Sequence, residues 1–304
     1  MKPVLAILIS LLFSCSGEVV KRSPTGEMEK TSEKSTFQGI KKKILVLNIS
    51  NETPYEGEKL SETTTSKLIF ELDQSNRFIL NPNVENTFGT SKEIYASGGA
   101  KLEQINVLAK NMGIYLVVYG RVAEANIKEK SNEIGVLSYT KMDTHAELEI
   151  RVFDVFSNRE VLNEKFKGLE DASTFRKFSS EDEGYLEFRG QNLNKGLSRA
   201  IDKAVPKIVA LADRLNWQGR VAKVEGQSIY LNSGRLTGLK IGDTLSVVTS
   251  GNEIFDPQSG AQLGLTNGIV KATIEVVDFF GEDGATANLL SGGTIHEGDL
   301  VQYY

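Results

Sequence analysis

The stretch KILVLNI, residues 43–49, decides the fold. It is short and almost wholly apolar, which is the pattern of a strand buried on both faces of a sheet. Asn51-Glu-Thr-Pro54 breaks it. Leu60, Thr64, Leu68 and Leu72 then recur every four residues and predict one face of a helix from about Lys59 to Gln74. Arg77-Phe-Ile-Leu80 reads as a second short strand, stopped at Asn81-Pro82, and a looser Gly-rich segment runs on to Ala100. Leu102, Ile105, Leu108 and Ala109 make a second helical stripe that ends at Asn111-Met-Gly113, with the glycine as C-terminal cap. Ile114–Tyr119 follows as another apolar strand. Strand, helix, strand, helix, strand is an α/β order.

The style changes after residue 144. Ala146, Leu148, Ile150 and Val152 alternate with His145, Glu147, Glu149 and Arg151, as in an antiparallel strand with one wet face. Ser157-Asn158-Arg159 turns the chain and Glu160–Lys167 returns. Leu193, Leu197, Ile201, Ala204, Ile208, Leu211 and Leu215 mark a long helix. Pro206 within it predicts a kink, because its ring clashes with the preceding turn and one hydrogen bond is lost.

From Gly219 onward the pattern is short strands and glycines. Glu225-Gly226-Gln227 separates Gly219–Val224 from Ser228–Leu231 as a hairpin. Leu239–Val247 has an echo in Ile295–Tyr303, each with a Gly-Asp turn (Gly242-Asp243, Gly298-Asp299) before an alternating strand. Val270–Val277 is a further strand. Such a segment suits a small, nearly closed β-barrel, which hides its sheet edges. The expected class is α+β: an N-terminal α/β sandwich domain with a mixed sheet and helices, residues 41–216, followed by a small all-β barrel-like domain, residues 217–304.

The N-terminus reads as export. Lys2 gives a positive start, and Val4–Phe13 is an apolar core of about ten residues, half the length of a membrane span. The only cysteine among 304 residues follows in Leu12-Phe13-Ser14-Cys15. Ser14 before Cys15, with Leu12 at −3, resembles a bacterial lipobox; Phe13 departs from the small residue usual there. The expectation is a signal peptide over residues 1–14 and acylation of Cys15. The alternative is a plain secretory leader that happens to contain a cysteine. Fatty chains on Cys15, palmitate among them, would moor the mature chain, since one chain binds marginally and two hold. Cleavage removes Lys2 and no acid, taking the net charge from −5 to −6. Residues 15–40 are polar and read as the lipidated N-terminus with a flexible tether. Ser16 at +2, where enteric sorting reads an aspartate as retention at the inner membrane, leans by that analogy to the outer membrane; the expected placement is its periplasmic side, with surface exposure as the alternative.

The same composition excludes several classes. Lys and Arg are scattered and the charge is negative, so no concentrated positive footprint calls for nucleic acid. Two histidines and one cysteine leave little for a structural zinc site and no disulfide within the chain. The phosphate-loop, dinucleotide, serine-hydrolase and zinc-protease motifs are absent from the sequence. His145 lies on the polar side of its strand and His296 in a turn, both positions of solvated histidines. Glu181-Asp-Glu183 reads as a solvated acidic loop, and Asp256-Pro-Gln-Ser-Gly260 as a turn. No catalytic residue, cofactor or metal is expected, and the chain is expected not to be an enzyme; a hydrolase built from dispersed carboxylates has no motif behind it.

Two resemblances extend this reading. Gly219–Gly226, Ile229-Tyr-Leu-Asn232, Gly238–Asp243, the Asp256-Pro257…Gly260…Leu263-Gly264 turn and Val270–Val276 together resemble the C-terminal domain of the flagellar assembly protein T family, with Ser259 where that family commonly has Thr. Lys43–Ile49 followed by Asn51, Leu72…Arg77-Phe78-Ile79, Met112–Gly120 and Val152-Phe-Asp154…Ser157–Val161 resemble a shared domain. That domain occurs in curli secretion channel lipoproteins, lipoprotein activators of penicillin-binding proteins and the N-terminal part of TolB. The resemblances imply a non-enzymatic envelope protein that binds other proteins as an assembly or scaffolding factor, with flagellar basal-body components among its partners. The other partners expected are the membrane through Cys15 and further copies of the chain. The alternative is a curli-type outer-membrane pore subunit with insertions at Ile127–Asp143 and Lys167–Gly190; the second carries charges on both parities and offers no clean lipid face.

Overall fold

The computed structural model describes residues 37, 39–81, 87–134, 137–174, 183–249, 251–260, 262–266 and 268–303. Cys15, the expected leader and most of the expected tether lie outside them, as do Glu181 and Asp182. Strand β1 (Lys42–Val46) is followed by the short β2 (Ser50–Asn51), helix α1 (Gly57–Gln74) and β3 (Phe78–Asn81). Helices α2 (Ser91–Ala96) and α3 (Ala100–Asn111) come next. Three long strands, β4 (Leu116–Ile134), β5 (Leu137–Asp154) and β6 (Arg159–Thr174), lead to helix α4 (Glu183–Arg214). The sheet order is β3-β1-β4-β5-β6, with β2 beside β4; β1 runs parallel to β3 and β4, and β4, β5 and β6 are antiparallel, so the sheet is mixed as expected.

Alternation along the strands feeds two cores. Ile44, Val46, Leu116, Val118 and Val152 pack with α1 and α4, while Leu45, Leu47, Val117, Tyr119 and Phe153 pack with α2 and α3. That two-sided burial is why KILVLNI carries no polar alternation. Where β1 ends, the freed Ile49 N–H donates to Thr65 Oγ1 at 2.9 Å, which in turn donates to Ser61 O. Asn51 shapes the turn into α1: its amide donates to the carbonyls of Tyr55 and Gly57, and its Oδ1 accepts from Thr53. The predicted stripe of Leu60, Thr64, Leu68 and Leu72 is buried.

The stripe of α3 is rotated from the expected one. Ile105, Asn106 and Ala109 are buried, whereas Leu108 is exposed. The end of α3 is as expected: Gly113 has φ +70°, with Ile114 N donating to Ala109 O and Gly113 N to Lys110 O, the paired bonds of a Schellman cap. Helix α2 replaces part of the loose segment expected before Ala100. Thr90 Oγ1 accepts from Glu93 N and its hydroxyl donates to the Glu93 carboxylate at 3.3 Å, so the Thr-x-x-Glu pair caps α2 through both side chains. Helix α4 starts well before Leu193 and continues through Pro206 as one element. It approaches β6 so closely that a Cβ on Gly168 would lie 1.8 Å from Gly196 O. Gly168 is the contact that a side chain would wedge open.

The remaining strands are β7 (Gln218–Glu225), β8 (Ser228–Leu231), β9 (Thr244–Val248), β10 (Glu253–Phe255), β11 (Gln262–Leu265), β12 (Val270–Phe280), β13 (Gly284–Gly292) and β14 (Leu300–Tyr303). Six of them close a barrel in the order β12-β13-β8-β7-β14-β9, so the expected barrel is present. Strand β13 was not read from the sequence, and β10 with β11 forms a separate antiparallel hairpin around the Asp256 turn. The two Gly-Asp echoes are structural equivalents. Gly242 and Gly298 have φ +91° and +88°. Asp243 Oδ2 accepts from Lys240 N, and Asp299 Oδ2 from His296 N, both at 2.7 Å. The strands that follow, β9 and β14, pair with each other.

Candidate functional site: a clamped junction, an apolar arm and a polar cleft

The lead-in to β1 ties the sheet module to the barrel. Ile40, within the segment expected to be tether, packs against the barrel core. Lys41 N donates to Thr237 O at 2.7 Å, and Gly39 O lies so near Gly238 that a Cβ there would be 2.9 Å away. Lys43 Nζ reaches Asn232 O at 2.7 Å and the Asp283 carboxylate at 2.9 Å, with both side chains largely buried. Asp283 also accepts from Gly234 N, Thr237 N and Thr237 Oγ1. A buried carboxylate with this many donors is well compensated, which a lone buried charge would not be. Tyr115, its ring tilted against that of Phe156 with centroids 5.0 Å apart, donates its hydroxyl to Asn216 O. Burial and the nearby Asp154 charge push the Tyr115 phenol well above its ordinary pKa.

A second charged cluster sits beneath α2, against Tyr95. Glu149, 2% exposed, accepts from Arg121 Nε at 2.9 Å and Arg151 Nε at 2.7 Å. Arg121 also holds Glu52, and Tyr119 donates to Glu160 at 2.6 Å. The Tyr95 ring lies under both guanidinium groups, at 4.7 and 5.1 Å. Burial raises the Glu149 pKa, but the bonds from Arg151 and Arg121 outweigh it and hold the carboxyl below its usual range. Glu149 was expected on a wet face; the arginines and α2 cover it. Beyond it the face is solvated, with Lys165 on Glu147 and Lys141 on Asp143. His145 is exposed there. In the expected insertion Ile127–Asp143, residues 127–134 and 137–143 are paired antiparallel; Lys128 and Lys130 are exposed there, while Thr140 and Met142 are buried. In the other expected insertion, 167–174 is strand and 183–190 is helix.

On the barrel side, the hairpin β10–β11 projects from the β9–β12 pair as an arm. Its turn is built on Asp256 Oδ1, which accepts from Gln258 N, Ser259 N and Ser259 Oγ. These bonds lower the Asp256 pKa. Phe255 is 52% exposed, Ile254 44%, and Ile269 at the stem 75%. Val270, Leu289 and Leu290 are exposed on the adjoining barrel strands. Apolar clusters of this kind mark interaction surfaces. His296 is exposed, its Nδ1 3.4 Å from Lys271 Nζ.

Between the arm stem, the barrel wall and the end of the sheet lies a cleft of about 670 Å3. Its charged lining residues are Lys110, Asp154 and Arg220. Asp154 is already engaged by Phe156 N at 2.9 Å and Ser157 Oγ at 2.8 Å. The rest of the lining is mainly amides and hydroxyls, Asn158, Asn216, Gln218 and Thr249 among them, beside the Tyr115–Phe156 pair. Several of these lie in stretches quoted above for the turn and the resemblances, but none was read as a site residue, and no local signal marks the cleft, because its lining comes from both modules. Among the described residues no group of three or more His, Cys, Asp or Glu side chains is placed to hold a metal ion, and no helix is long and apolar enough to cross a membrane.

The class is therefore an α+β protein with a mixed, helix-covered sheet and a closed six-stranded barrel. No family model and no curated protein matches the chain. Solved structures resemble part of it. The hypothetical protein CT253 from Chlamydia trachomatis is 14% identical over 57% of this chain and 98% of that one, with a TM-score of 0.39. Lipoprotein GNA1162 from Neisseria meningitidis is 15% identical over 56% of this chain and 99% of that one, with a TM-score of 0.26. The C-terminal domain of LpoB from Salmonella enterica is 15% identical over 42% of this chain and 83% of that one, also at 0.26.

Proposed function

We propose that the chain is a lipid-anchored, non-enzymatic envelope protein that works by docking other proteins as an assembly or scaffolding factor. The observation that carries this reading is the apolar arm: Ile254, Phe255 and Ile269 stand in solvent although the barrel already has a closed core to bury them in. Removing such side chains from water on a partner is worth about 25 cal/mol per Å2 of apolar area, so a few aromatic and aliphatic anchors suffice for a specific contact. Cys15 supplies the expected membrane attachment on the periplasmic side of the outer membrane, and the clamped junction holds arm and sheet module as one platform. The flagellar basal body is the setting we favour, on the resemblance of the barrel segment.

In-cell crosslinking of the full chain, followed by mass spectrometry, tests the reading. Envelope proteins are expected among the adducts, with basal-body components if the flagellar setting holds. Cys15→Ala is expected to shift the protein out of the detergent phase and reduce those adducts. Recovery of no envelope protein, with normal motility after deletion, would contradict the reading.

A further inference from the structure

We infer that the cleft between the barrel and the sheet end binds an extended, carboxylate-bearing peptide segment of the docked partner, with Arg220 and Lys110 as its anchors. The inference rests on the protein-docking reading and names the chemistry of one contact within it.

The charge balance of the cleft carries the argument. Of its three charged side chains, the negative one is satisfied within the chain: Asp154 accepts from Phe156 N and Ser157 and is nearly buried. Neither cation has such a partner among the described residues. Arg220 Nε is buried and has no acceptor among the described residues. Nε itself is closed to solvent, but Arg220 as a whole is part-exposed and lines the cleft, so a carboxylate would meet its outer N–H groups, which it can take in bidentate fashion. Lys110 stands in the last turn of α3, where the carbonyl end offers roughly half a negative charge against it, less than a full counter-ion. The net charge of −5 gives no long-range attraction for an acidic partner, so recognition comes from contact with these two groups.

The remaining lining selects a peptide over a free anion. Asn158, Asn216, Gln218 and Gln302 offer paired donors and acceptors that suit a backbone, beside the tilted Tyr115–Phe156 pair. A volume of about 670 Å3 lies within the range of about 300–1,000 Å3 typical of ligand sites. The cleft is continuous with the arm, since Gly251, Thr266 and Gly268 of the arm stem form part of its wall. A Cβ on Gly251 or Gly268 would sit 1.8 or 2.0 Å from the carbonyl oxygen of Thr266 or Thr249, so the stem stays thin there. A partner seated on Phe255 therefore has a path from the arm into the cationic cleft.

The test uses the full chain in detergent and two capped peptides, acetyl-(Glu-Ala)3-amide and acetyl-(Gln-Ala)3-amide, with acetate as the small-anion control. Trp217, the single tryptophan, lies between the cleft residues Asn216 and Gln218 and reports binding by its fluorescence. The glutamate peptide is expected to bind about tenfold or more tightly than the glutamine peptide, as losing hydrogen bonds to a charged group implies. Arg220→Gln should remove that preference without lowering the melting temperature, and Lys110→Gln should weaken it independently. Carbodiimide coupling should join the peptide to Lys110. Equal binding of the two peptides, no binding, coupling spread over the surface lysines, or acetate competing as well as the peptide per carboxylate would overturn the inference. Envelope partners captured at the arm while the glutamate peptide fails would leave the docking reading intact and this one refuted.

Discussion

The sheet module and the barrel dispose of their apolar residues differently. In the sheet module the central strand β1 has a helix layer on each face, so Leu45 and Ile44, neighbours in sequence, are both fully buried in separate cores. The barrel has one interior, lined partly by small residues such as Ala272, Ala285 and Ala287, and its whole outer wall faces outward. Closure removes the sheet edges but gives Ile241, Ile269 and Leu290 nothing to pack on. The sheet module does expose Phe70, Val107, Leu108, Met112, Leu169 and Leu186, but spread over α1, the end of α3, β6 and the start of α4. Apolar exposure that the fold does not need is thus concentrated on the barrel, while buried charge is concentrated on the sheet.

The contrast breaks first, and hardest, in the sheet core. Leu148→Ala deletes a fully buried side chain between β5 and α4, and is expected to cost about 2–5 kcal/mol in urea unfolding. A cost under 1 kcal/mol would mean that this module is loosely packed.

Glu149→Gln comes next. It leaves Arg121 and Arg151 without their shared carboxylate; because both are partly solvated, the expected cost is about 2 kcal/mol, below the range for a fully buried pair. The wild-type carboxyl titrates lower in the folded chain than its ordinary value of 4.5. Its contribution is therefore complete above that value and disappears as pH falls through the lowered folded pKa. The variant's stability should accordingly fall less steeply in that acidic window, as read from melting temperatures between neutral pH and pH 3. Parallel acid profiles for the two proteins would show that the network adds nothing.

Asp283→Asn tests the coupling between the regions. It weakens the bond to Lys43 and the set from Gly234 and Thr237, for an expected loss of about 1.5–2 kcal/mol. Trp217 fluorescence, reporting the barrel, and far-ultraviolet dichroism, reporting the whole chain, should then cease to unfold together. Coincident transitions would place the coupling elsewhere.

The smallest stability effect concerns the repeat inside the barrel. Gly242→Ala and Gly298→Ala each meet open space, so only the left-handed backbone is penalised, by about 1 kcal/mol. The two costs should agree within a few tenths of a kcal/mol; a large difference would deny the equivalence of the turns.

Much of the frame was legible because it rests on local periodicity. The apolar run at 43–49, the α1 stripe, the alternation from Ala146 to Val152 and the two Gly-Asp turns each lie within a dozen residues or so. Misreadings came where burial is set from a distance. Leu108 shares the spacing of the α3 stripe, yet the sheet meets the face centred on Ile105 and Ala109. Thr90 and Glu93 did announce α2, but six residues gave no stripe to read. β13 hides because Asn288, Leu289 and Leu290 are all exposed in succession, so its alternation fails halfway. The arm was visible only as its turn. The cleft was invisible, since Lys110 and Arg220 approach only after the barrel folds back onto the lead-in at Ile40.

The most direct measurement places a photo-crosslinking amino acid at Phe255 on the arm and, in a second strain, at His145 on the charged sheet face, in the full chain expressed in its own cells. The account predicts a discrete adduct with an envelope protein from position 255, weakened by Ile254→Ala and Ile269→Ala, and none of comparable yield from position 145. No adduct at 255, or the same adducts in equal yield at both positions, would contradict it.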